Sequence, residues 1–282
     1  MADYLKLFST QAEYDAYIAS DYPKPNVSYI EATDETIFTN YQDGPAGQDA
    51  IVTSIDVADW PSGQTAWNIG KAITEVKIPE GVTDIGYSGG SSIFSPYSFQ
   101  GFTVLEKVTL PSTLTTVNSL NDSDGIFRGC TSLTDVNLED TSVTSIGKAM
   151  FWGCTSLTEI AIPSTVTVIK DYAFMGCTAL ASIVIPSSVT GTLGAQAFQG
   201  CTSLASADIP SGVNLIGASC FYQCTALSSL TVRATTPPTV GYNALNSINQ
   251  NVVIYVPASA VETYKTTSGW SNYASKIQAI PA

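Results

Sequence analysis

Cysteines are the residues of this chain with the widest chemistry, because a thiolate can bind a metal, attack a substrate or form a disulfide. Cysteine metal sites use pairs separated by two to four residues and often add histidine, and this chain contains no histidine. Its cysteines instead recur at intervals of 23 or 24 residues. We therefore predict a column of buried free thiols that act as small apolar side chains, with disulfides between neighbouring repeats as the alternative. The five recurring residues are Cys130, Cys154, Cys177, Cys201 and Cys224.

The absence of histidine also argues against catalysis, because histidine is the commonest general base. A Ser–His–Asp arrangement is excluded, and no glycine-rich phosphate loop follows a strand pattern. The stretch 121–125 has the polar residues of the start of a calcium loop, but it lacks a bidentate acid at the required distance and is interpreted as a solvated turn. The sequence therefore predicts a protein that is not an enzyme, with no cofactor and no metal site.

The composition predicts a folded, acidic protein. Hydrophobic residues make up 44% of the 282 residues, and the formal net charge is −13, from 24 acidic and 11 basic side chains. A chain with this charge repels nucleic acid, and no basic stripe overrides the repulsion. No run of 18 apolar residues predicts a transmembrane segment, and the first eight residues lack the pattern of a signal peptide. Three explanations stay open: a cytoplasmic protein, a removed signal, or export by another route.

The cysteines belong to a longer repeated unit that must position them. In the best copies a Phe stands three residues before the Cys and a Leu three residues after it, as in Phe174-Met175-Gly176-Cys177-Thr178-Ala179-Leu180. The Leu opens an apolar triplet at i, i+3 and i+5, whose last two members alternate with a polar residue and so predict a strand. Pro follows five triplets and should end those strands. The seven triplets are Ile73/Val76/Ile78, Leu105/Val108/Leu110, Leu133/Val136/Leu138, Leu157/Ile160/Ile162, Leu180/Ile183/Ile185, Leu204/Ala207/Ile209 and Leu227/Leu230/Val232.

One such unit is too small to bury its own apolar residues, but stacked units can bury them against each other. Seven strands at a spacing of about 4.8 Å would form a continuous parallel sheet about 30 Å long. A second apolar pair after each strand, such as Val166/Ile169, predicts a short extended or helical return leg.

The unit A-F-x-G-C-x-S-L-x-x-I-x-I-P-x-x-V-T-x-I-G resembles the BspA-type leucine-rich repeat of bacterial surface proteins, over about residues 73–232. The resemblance implies a repeat solenoid with a parallel β-sheet on its concave face, short return strands or helical turns on its convex face, and small α/β caps at both ends. It also implies adhesion or ligand binding at a cell surface and no catalytic residues. The tail, 252–280, is similar to the closing segment of such proteins from gut Bacteroidetes.

The start of the chain is similar to the leading segments of structural proteins from phages of gut Bacteroidales, in Tyr4-Leu5-Lys6-Leu7-Phe8 and the residues that follow it. This likeness implies a virion protein released by lysis. The domains predicted from the sequence are a leader or attachment segment (1–42), an N-terminal cap (43–72), about seven leucine-rich repeats (73–234) and a C-terminal cap (235–282). The C-terminal cap should contain a strand near 252–256 and a helix after Pro257.

The polar positions of the strand motif are the candidate partner-binding residues, because in a leucine-rich horseshoe they project from the concave face. They form either a docking surface for a protein or glycan or a sheet face that is simply solvated. Trp152 could add stacking on sugars, or it is an ordinary surface aromatic. The candidate positions are Glu75, Lys77, Lys107, Thr109, Asp135, Asn137, Glu159, Ser182, Ser206, Asp208, Ser229 and Thr231.

The sequence thus predicts a non-enzymatic adhesion or ligand-binding protein in an extracellular or cell-surface location. The alternative is a virion structural protein, a fibre or decoration, that is attached through its N-terminal segment. The expected partner is a protein or glycan, and a homo-oligomer stays open.

Overall fold

The computed structural model describes residues 54–56, 74–78, 83–86, 99–118 and 125–281. The predicted leader, most of the predicted N-terminal cap and residues 121–124 of the calcium-like stretch lie outside the described residues. The strands, in chain order, are β1 (Ser54–Asp56), β2 (Glu75–Lys77), β3 (Asp84–Gly86), β4 (Lys107–Thr109), β5 (Thr116–Asn118), β6 (Asp135–Val136), β7 (Ser145–Ile146), β8 (Val168–Ile169), β9 (Ser182–Val184), β10 (Gly191–Leu193), β11 (Ser206–Ile209), β12 (Val213–Ile216), β13 (Ser229–Val232), β14 (Thr239–Val240), β15 (Val253–Val256) and β16 (Ile277–Ala279).

The strands form two sides of a stack of coils, and every strand pairing in the described part of the chain is parallel. One side, called here the front face, holds the strand motifs in two sheets, ordered β1-β2-β4-β6 and β9-β11-β13-β15-β16. The return legs form the back face, with sheets ordered β3-β5 and β7-β8-β10-β12-β14. This arrangement is the predicted repeat solenoid, with short return strands opposite the front strands.

The coils are in register because equivalent apolar residues meet at each strand pair. Val76 aligns with Val108, which aligns with Val136, and in the second sheet Ala207 aligns with Leu230. All of these side chains are buried. Three of the predicted prolines follow the ends of front strands: β11 ends directly before Pro210, and β4 and β9 end two residues before Pro111 and Pro186. The next turn is closed by a backbone bond from the Val213 amide to the Pro210 carbonyl.

A third ladder of contacts joins the coils at the corner that carries the repeated Phe. The rings of six Phe residues, one from each of six successive coils, stack with centroids 5.3–5.6 Å apart and planes within 19° of parallel. Each Phe amide from the second to the sixth also donates to a carbonyl of the next coil, as Phe174 does to Ala197 at 2.8 Å. Stacked rings and backbone bonds therefore fix one relative position for neighbouring coils. The column is Phe99, Phe127, Phe151, Phe174, Phe198 and Phe221.

The prediction of one continuous front sheet was wrong at a single coil. Residues 159–162 form no strand and separate the two front sheets. The cause lies one coil earlier, where Val143 follows Val136 by seven positions, rather than by the six that separate the equivalent residues Ile183 and Val189, and where no proline ends the strand. The extra residue is absorbed by a 3-10 helix at Leu138–Asp140, and Asn137 leaves the extended conformation with φ −78° and ψ 50°. Strand β6 therefore ends at Val136, and the next coil loses its strand partner on that side.

The stack continues past the last predicted triplet into the tail. Leu245 and Ile248 occupy the Phe and Cys positions of a further coil, and the Phe221 amide donates to Ala244 at 2.8 Å. The strand predicted near 252–256 is confirmed as β15, and the helix predicted after Pro257 begins as a 3-10 turn (Ala258–Ala260) and continues as α1 (Val261–Thr266). A second 3-10 helix covers Ser271–Lys276.

Two aromatic residues attach the tail to the stack. Tyr264 and Trp270 are fully buried and meet edge to face with centroids 5.1 Å apart. The Tyr264 hydroxyl donates to the carbonyl of Ala234, and the Trp270 indole N–H donates to the carbonyl of Pro238, each at 2.8 Å. Both polar atoms are thus satisfied in the interior, so that these large side chains can cover the last coils without leaving an unpaired donor.

Candidate functional site

The candidate residues of the first front sheet form a row of alternating charge across three strands. Glu75 aligns with Lys107 and Lys107 with Asp135, and the Lys107 Nζ lies 2.9 Å from an Asp135 carboxylate oxygen. Both side chains of this ion pair are about half exposed, at 46% and 56%. The hydrogen bond and charge of Asp135 raise the pKa of Lys107. Surface pairs of this kind contribute little stability but fix the direction of their side chains. Lys77 aligns with Thr109 in the adjacent row.

The second front sheet carries small neutral residues instead. Ser182, Ser206 and Ser229 align across β9, β11 and β13, and Asp208 aligns with Thr231 in the next row. Among these residues Asp208 has a strong partner, because Arg233 binds its carboxylate with two nitrogens, at 2.8 Å and 2.5 Å. The structure therefore brings the three predicted serines and Thr231 together on one sheet.

The rows continue into strands that the sequence-based assignment left to the C-terminal cap. Val253 aligns with Ser229, Tyr255 aligns with Thr231, and Gln278 of β16 aligns with Tyr255. The alternating pattern Val253-Ile254-Tyr255-Val256 was the signal that could have extended the candidate surface, since Ile254 and Val256 are buried and Tyr255 is partly exposed.

Asn137 was predicted to project from the front face, and in the structure its side chain hydrogen-bonds to the backbone of another coil. Its side-chain amide pairs with the backbone of the preceding coil: Oδ1 accepts from the Leu110 N–H at 2.7 Å, and Nδ2 donates to the Leu110 carbonyl at 3.0 Å. Nδ2 also reaches Asp140 at 3.2 Å. Asn137 thus replaces the missing strand partner of Leu110, and its part in partner binding stays a prediction.

A cleft of about 580 Å³ opens on the front face where the sheet is interrupted. Its walls come from three successive coils, and they include the predicted residues Asp135, Glu159 and Ser182. Val184 also lines it and is the more exposed of two large apolar residues at strand positions, at 74%. Sequence reasoning missed the cleft, although the lengthened turn and the absent proline one coil earlier were visible signals.

The cysteine column is buried and free, as predicted, with every thiol at 0% exposure. Packing as plain apolar side chains was an incomplete interpretation. Each thiol of the column donates to the carbonyl of the Phe in the preceding coil, at 3.0–3.2 Å, as Cys177 does to Phe151. Burial raises the pKa of Cys177 to about 12. The thiols therefore join the coils and are poor nucleophiles, because the thiolate is the reactive form.

The surface aromatic Trp152 is half-buried and is held in a stack. Its ring lies against Tyr172, with centroids 5.7 Å apart and planes 22° from parallel, and the Arg128 guanidinium carbon lies 3.9 Å from the ring centroid. Both ring faces are thereby covered by neighbouring coils. Stacking of Trp152 on a sugar, which the sequence left open, would need one of these contacts to break.

Metal-ligating side chains do not cluster in the described part of the chain, where no three His, Cys, Asp or Glu residues come close enough to hold an ion. No helix among the residues of known placement is long and apolar enough to cross a bilayer.

A stack of short parallel strands with a repeated apolar column is the fold of a leucine-rich repeat protein. The family model described as "BspA type Leucine rich repeat region (6 copies)" matches residues 63–191 and 122–252, which together exceed half of the chain. The chain therefore belongs to the BspA-type leucine-rich repeat family.

Several solved leucine-rich repeat proteins are similar to this chain. The chain is 23% identical to the leucine-rich repeat protein TpLRR of T. pallidum, with a TM-score of 0.50 over 72% of this chain and 84% of that one. A leucine-rich repeat protein from Bacteroides ovatus is 20% identical, with a TM-score of 0.45 over 77% and 69%. A leucine-rich cell surface protein from Faecalibacterium prausnitzii is 22% identical, with a TM-score of 0.41 over 78% and 72%. No curated protein matches the sequence.

We predict that none of the six thiols reacts with iodoacetamide in the folded protein at pH 8. A pKa raised to about 12, as for Cys177, keeps the thiol almost entirely protonated at pH 8, and all six side chains are inaccessible. After unfolding in guanidinium chloride the pKa returns to about 8.5 and all six should be labelled. Intact-protein mass spectrometry counts the added groups, and rapid labelling of the folded chain would contradict the assignment.

Proposed function

We propose that this protein is a non-enzymatic binding protein of a cell surface, which docks a protein or glycan on its front face. The observation that carries the proposal is the arrangement of that face, where aligned strands hold rows of exposed or half-exposed polar side chains over a continuous buried core. A surface preorganised in this way loses little conformational freedom on binding. Leucine-rich repeat proteins are generally non-enzymatic and often bind proteins, which agrees with the inert thiols and the lack of histidine.

The location at a cell surface rests on the family and on one similar protein. BspA-type repeats are typical of surface-exposed bacterial proteins, and the F. prausnitzii protein is described as a cell surface protein. The net charge of −13 favours partners other than nucleic acid.

We predict that the double variant Ser206→Arg/Ser229→Arg weakens binding to a partner by at least tenfold while the protein stays folded. Both residues lie on the front face, and two bulky cations there obstruct a flat docking partner. The matched control is Thr192→Arg/Asn214→Arg, which adds the same charge to exposed positions on strands β10 and β12 of the back face. Fluorescently labelled protein is titrated onto intact epithelial and bacterial cells and onto a glycan array, and the unfolding midpoint of each variant is measured.

The proposal expects the back-face variant to bind as the unsubstituted chain does. Equal loss in both variants, no loss in the front-face variant, or no binding of the unsubstituted chain to any of these surfaces would contradict it.

A second function, a structural or decoration protein of a virion, is favoured by one sequence feature, the likeness of residues 1–42 to leaders of phage structural proteins. In this proposal the leader attaches the chain to the particle and the repeats contact the host. Deleting residues 1–42 should then abolish co-sedimentation with purified particles and leave the thermal unfolding of the repeats unchanged. Continued co-sedimentation of the shortened chain would exclude the leader as the anchor.

A further inference from the structure

The cleft at the interrupted sheet has backbone groups that no other part of the fold uses. Neither an amide nor a carbonyl of residues 159–162 hydrogen-bonds to another residue in the described part of the chain. Hydrogen bonds to both neighbouring coils stop just before this segment. The Ala181 amide of the following coil donates to the Thr158 carbonyl at 3.0 Å, and the Ser156 amide donates to the Thr131 carbonyl of the preceding coil at 3.1 Å. Four consecutive residues thus present donors and acceptors that strands normally pair, and an added extended segment can satisfy them.

The floor of the cleft reaches the apolar core. Val136 and Ile160 line it, and each is 8% exposed, the highest value among the buried apolar residues of the described chain. Ile162 and Pro186 are half-buried on its walls, and Val184 is largely exposed. Elsewhere on the stack the neighbouring coil closes such a gap. An apolar side chain of a partner would remove this surface from water, which is the main favourable term in association.

The rim of the cleft is acidic. Asp135, Glu139 and Glu159 line it, and no Lys or Arg does. Asp135 is paired with Lys107 at 2.9 Å, whereas the carboxylates of Glu139 and Glu159 make no ion pair or hydrogen bond within the residues that the structure describes. Two exposed, unpaired carboxylates beside an apolar floor favour a partner that brings cations next to an apolar residue.

A protein segment fits these features better than a glycan does. Sugar sites rely on aromatic rings and on polar side chains, and no aromatic residue lines the cleft. Unpaired backbone groups, an apolar floor and an acidic rim correspond instead to the three parts of an extended peptide: its backbone, an apolar side chain and basic side chains two residues away on the same side.

We propose that the cleft at residues 159–162 binds an extended, basic segment of a partner protein, whose backbone pairs with these residues and whose apolar side chain enters the cleft. This inference deepens the proposed function, on which it rests, by naming the class of partner and its point of entry. The acidic rim sets the preference for Lys or Arg over Asp or Glu in the segment.

The test uses three fluorescent ten-residue peptides in which the residues that should enter the cleft share one side of an extended chain and Ser fills the other side. The Lys/Val peptide is Ser-Lys-Ser-Val-Ser-Lys-Ser-Val-Ser-Lys, the Glu/Val peptide has Glu in place of Lys, and the Lys/Ser peptide has Ser in place of Val. Binding to the full chain is measured by fluorescence anisotropy at two salt concentrations. The Lys/Val peptide is expected to bind at least tenfold more tightly than either of the others, and its affinity should fall as salt rises. Equal binding of the Lys/Val and Glu/Val peptides, or no binding of the Lys/Val peptide, would overturn the proposal.

Two variants locate the binding. Glu139→Gln/Glu159→Gln removes the unpaired carboxylates, and Ala161→Trp fills the cleft from an exposed position. Each variant should lower the affinity for the Lys/Val peptide by about tenfold or more. The matched control, Glu75→Gln/Glu106→Gln, makes the same change in net charge at exposed residues outside the cleft and should leave the affinity within twofold. Loss of affinity in the control equal to that in the rim variant would assign the binding to net charge and overturn the proposal.

The two proposals fail in different ways. If Ser206→Arg/Ser229→Arg abolishes cell binding but Glu139→Gln/Glu159→Gln leaves the affinity for the Lys/Val peptide unchanged, the front face is the docking surface and the cleft is not. If a glycan is bound and Ala161→Trp displaces it, the cleft is a site but the inferred partner class is wrong. If cell binding survives the front-face variant, the proposed function itself fails whatever the peptides do.

Discussion

Each coil of this protein lacks a core of its own, and that constraint governs the rest of the structure. The Phe, Leu and Cys side chains of one coil are buried by the equivalent side chains of its neighbours, in columns that run the length of the stack. Three ladders hold the columns in register: the front strands, the back strands and the Phe corner with its thiol and amide hydrogen bonds. Stability of such an array is a sum of coils and of the contacts between adjacent coils.

The same constraint explains why one extra residue changes the surface and leaves the interior intact. The lengthened turn after Val136 could be absorbed on the front face, but not in the columns, where a shift would separate rings that stack at 5.4–5.6 Å. At the coil that lacks its front strand, the Thr167 amide still donates to the Thr144 carbonyl on the back, and the Phe151 amide still donates to Ala173 at the corner. The front ladder alone opens, and the result is a cleft with unpaired backbone. The cleft in which we propose that a partner binds is therefore a local exception to the repeat.

The sequence predicted those parts of the fold that recur, because the residue types at each repeated position indicate the same burial in several copies. The strand motifs, the prolines that end them, the parallel stacking and the buried Cys column all follow from one period. The sequence said less about single departures from the period. Residues 159–162 carry a normal strand motif, Glu159-Ile160-Ala161-Ile162, and lose their strand because of the preceding coil. Asn137 has the residue type of an exposed position, and only the geometry of the interrupted strand turns its amide toward Leu110.

For the same reason, the sequence predicted which face of the sheet carries the candidate residues, but it did not predict the cleft on that face. Alternation along the strands identified which side chains point outward, and Ser182, Ser206 and Ser229 do so together. Which side chains of different coils form ion pairs depends on the distances between the coils. The ion pairs of Asp135 and Asp208 could therefore not be predicted from the spacing of residues along the sequence. The cleft depends on three coils at once.

Hydrogen–deuterium exchange of the Phe174→Ala variant tests most directly whether the coils depend on their neighbours for stability. Phe174 is fully buried in the middle of the column, between Phe151 and Phe198. Stacking of coils without private cores predicts faster exchange in its own coil and in the segments around both neighbouring Phe residues, with smaller changes at greater distance. Faster exchange confined to the coil of Phe174, with both neighbours as protected as before, would contradict the account.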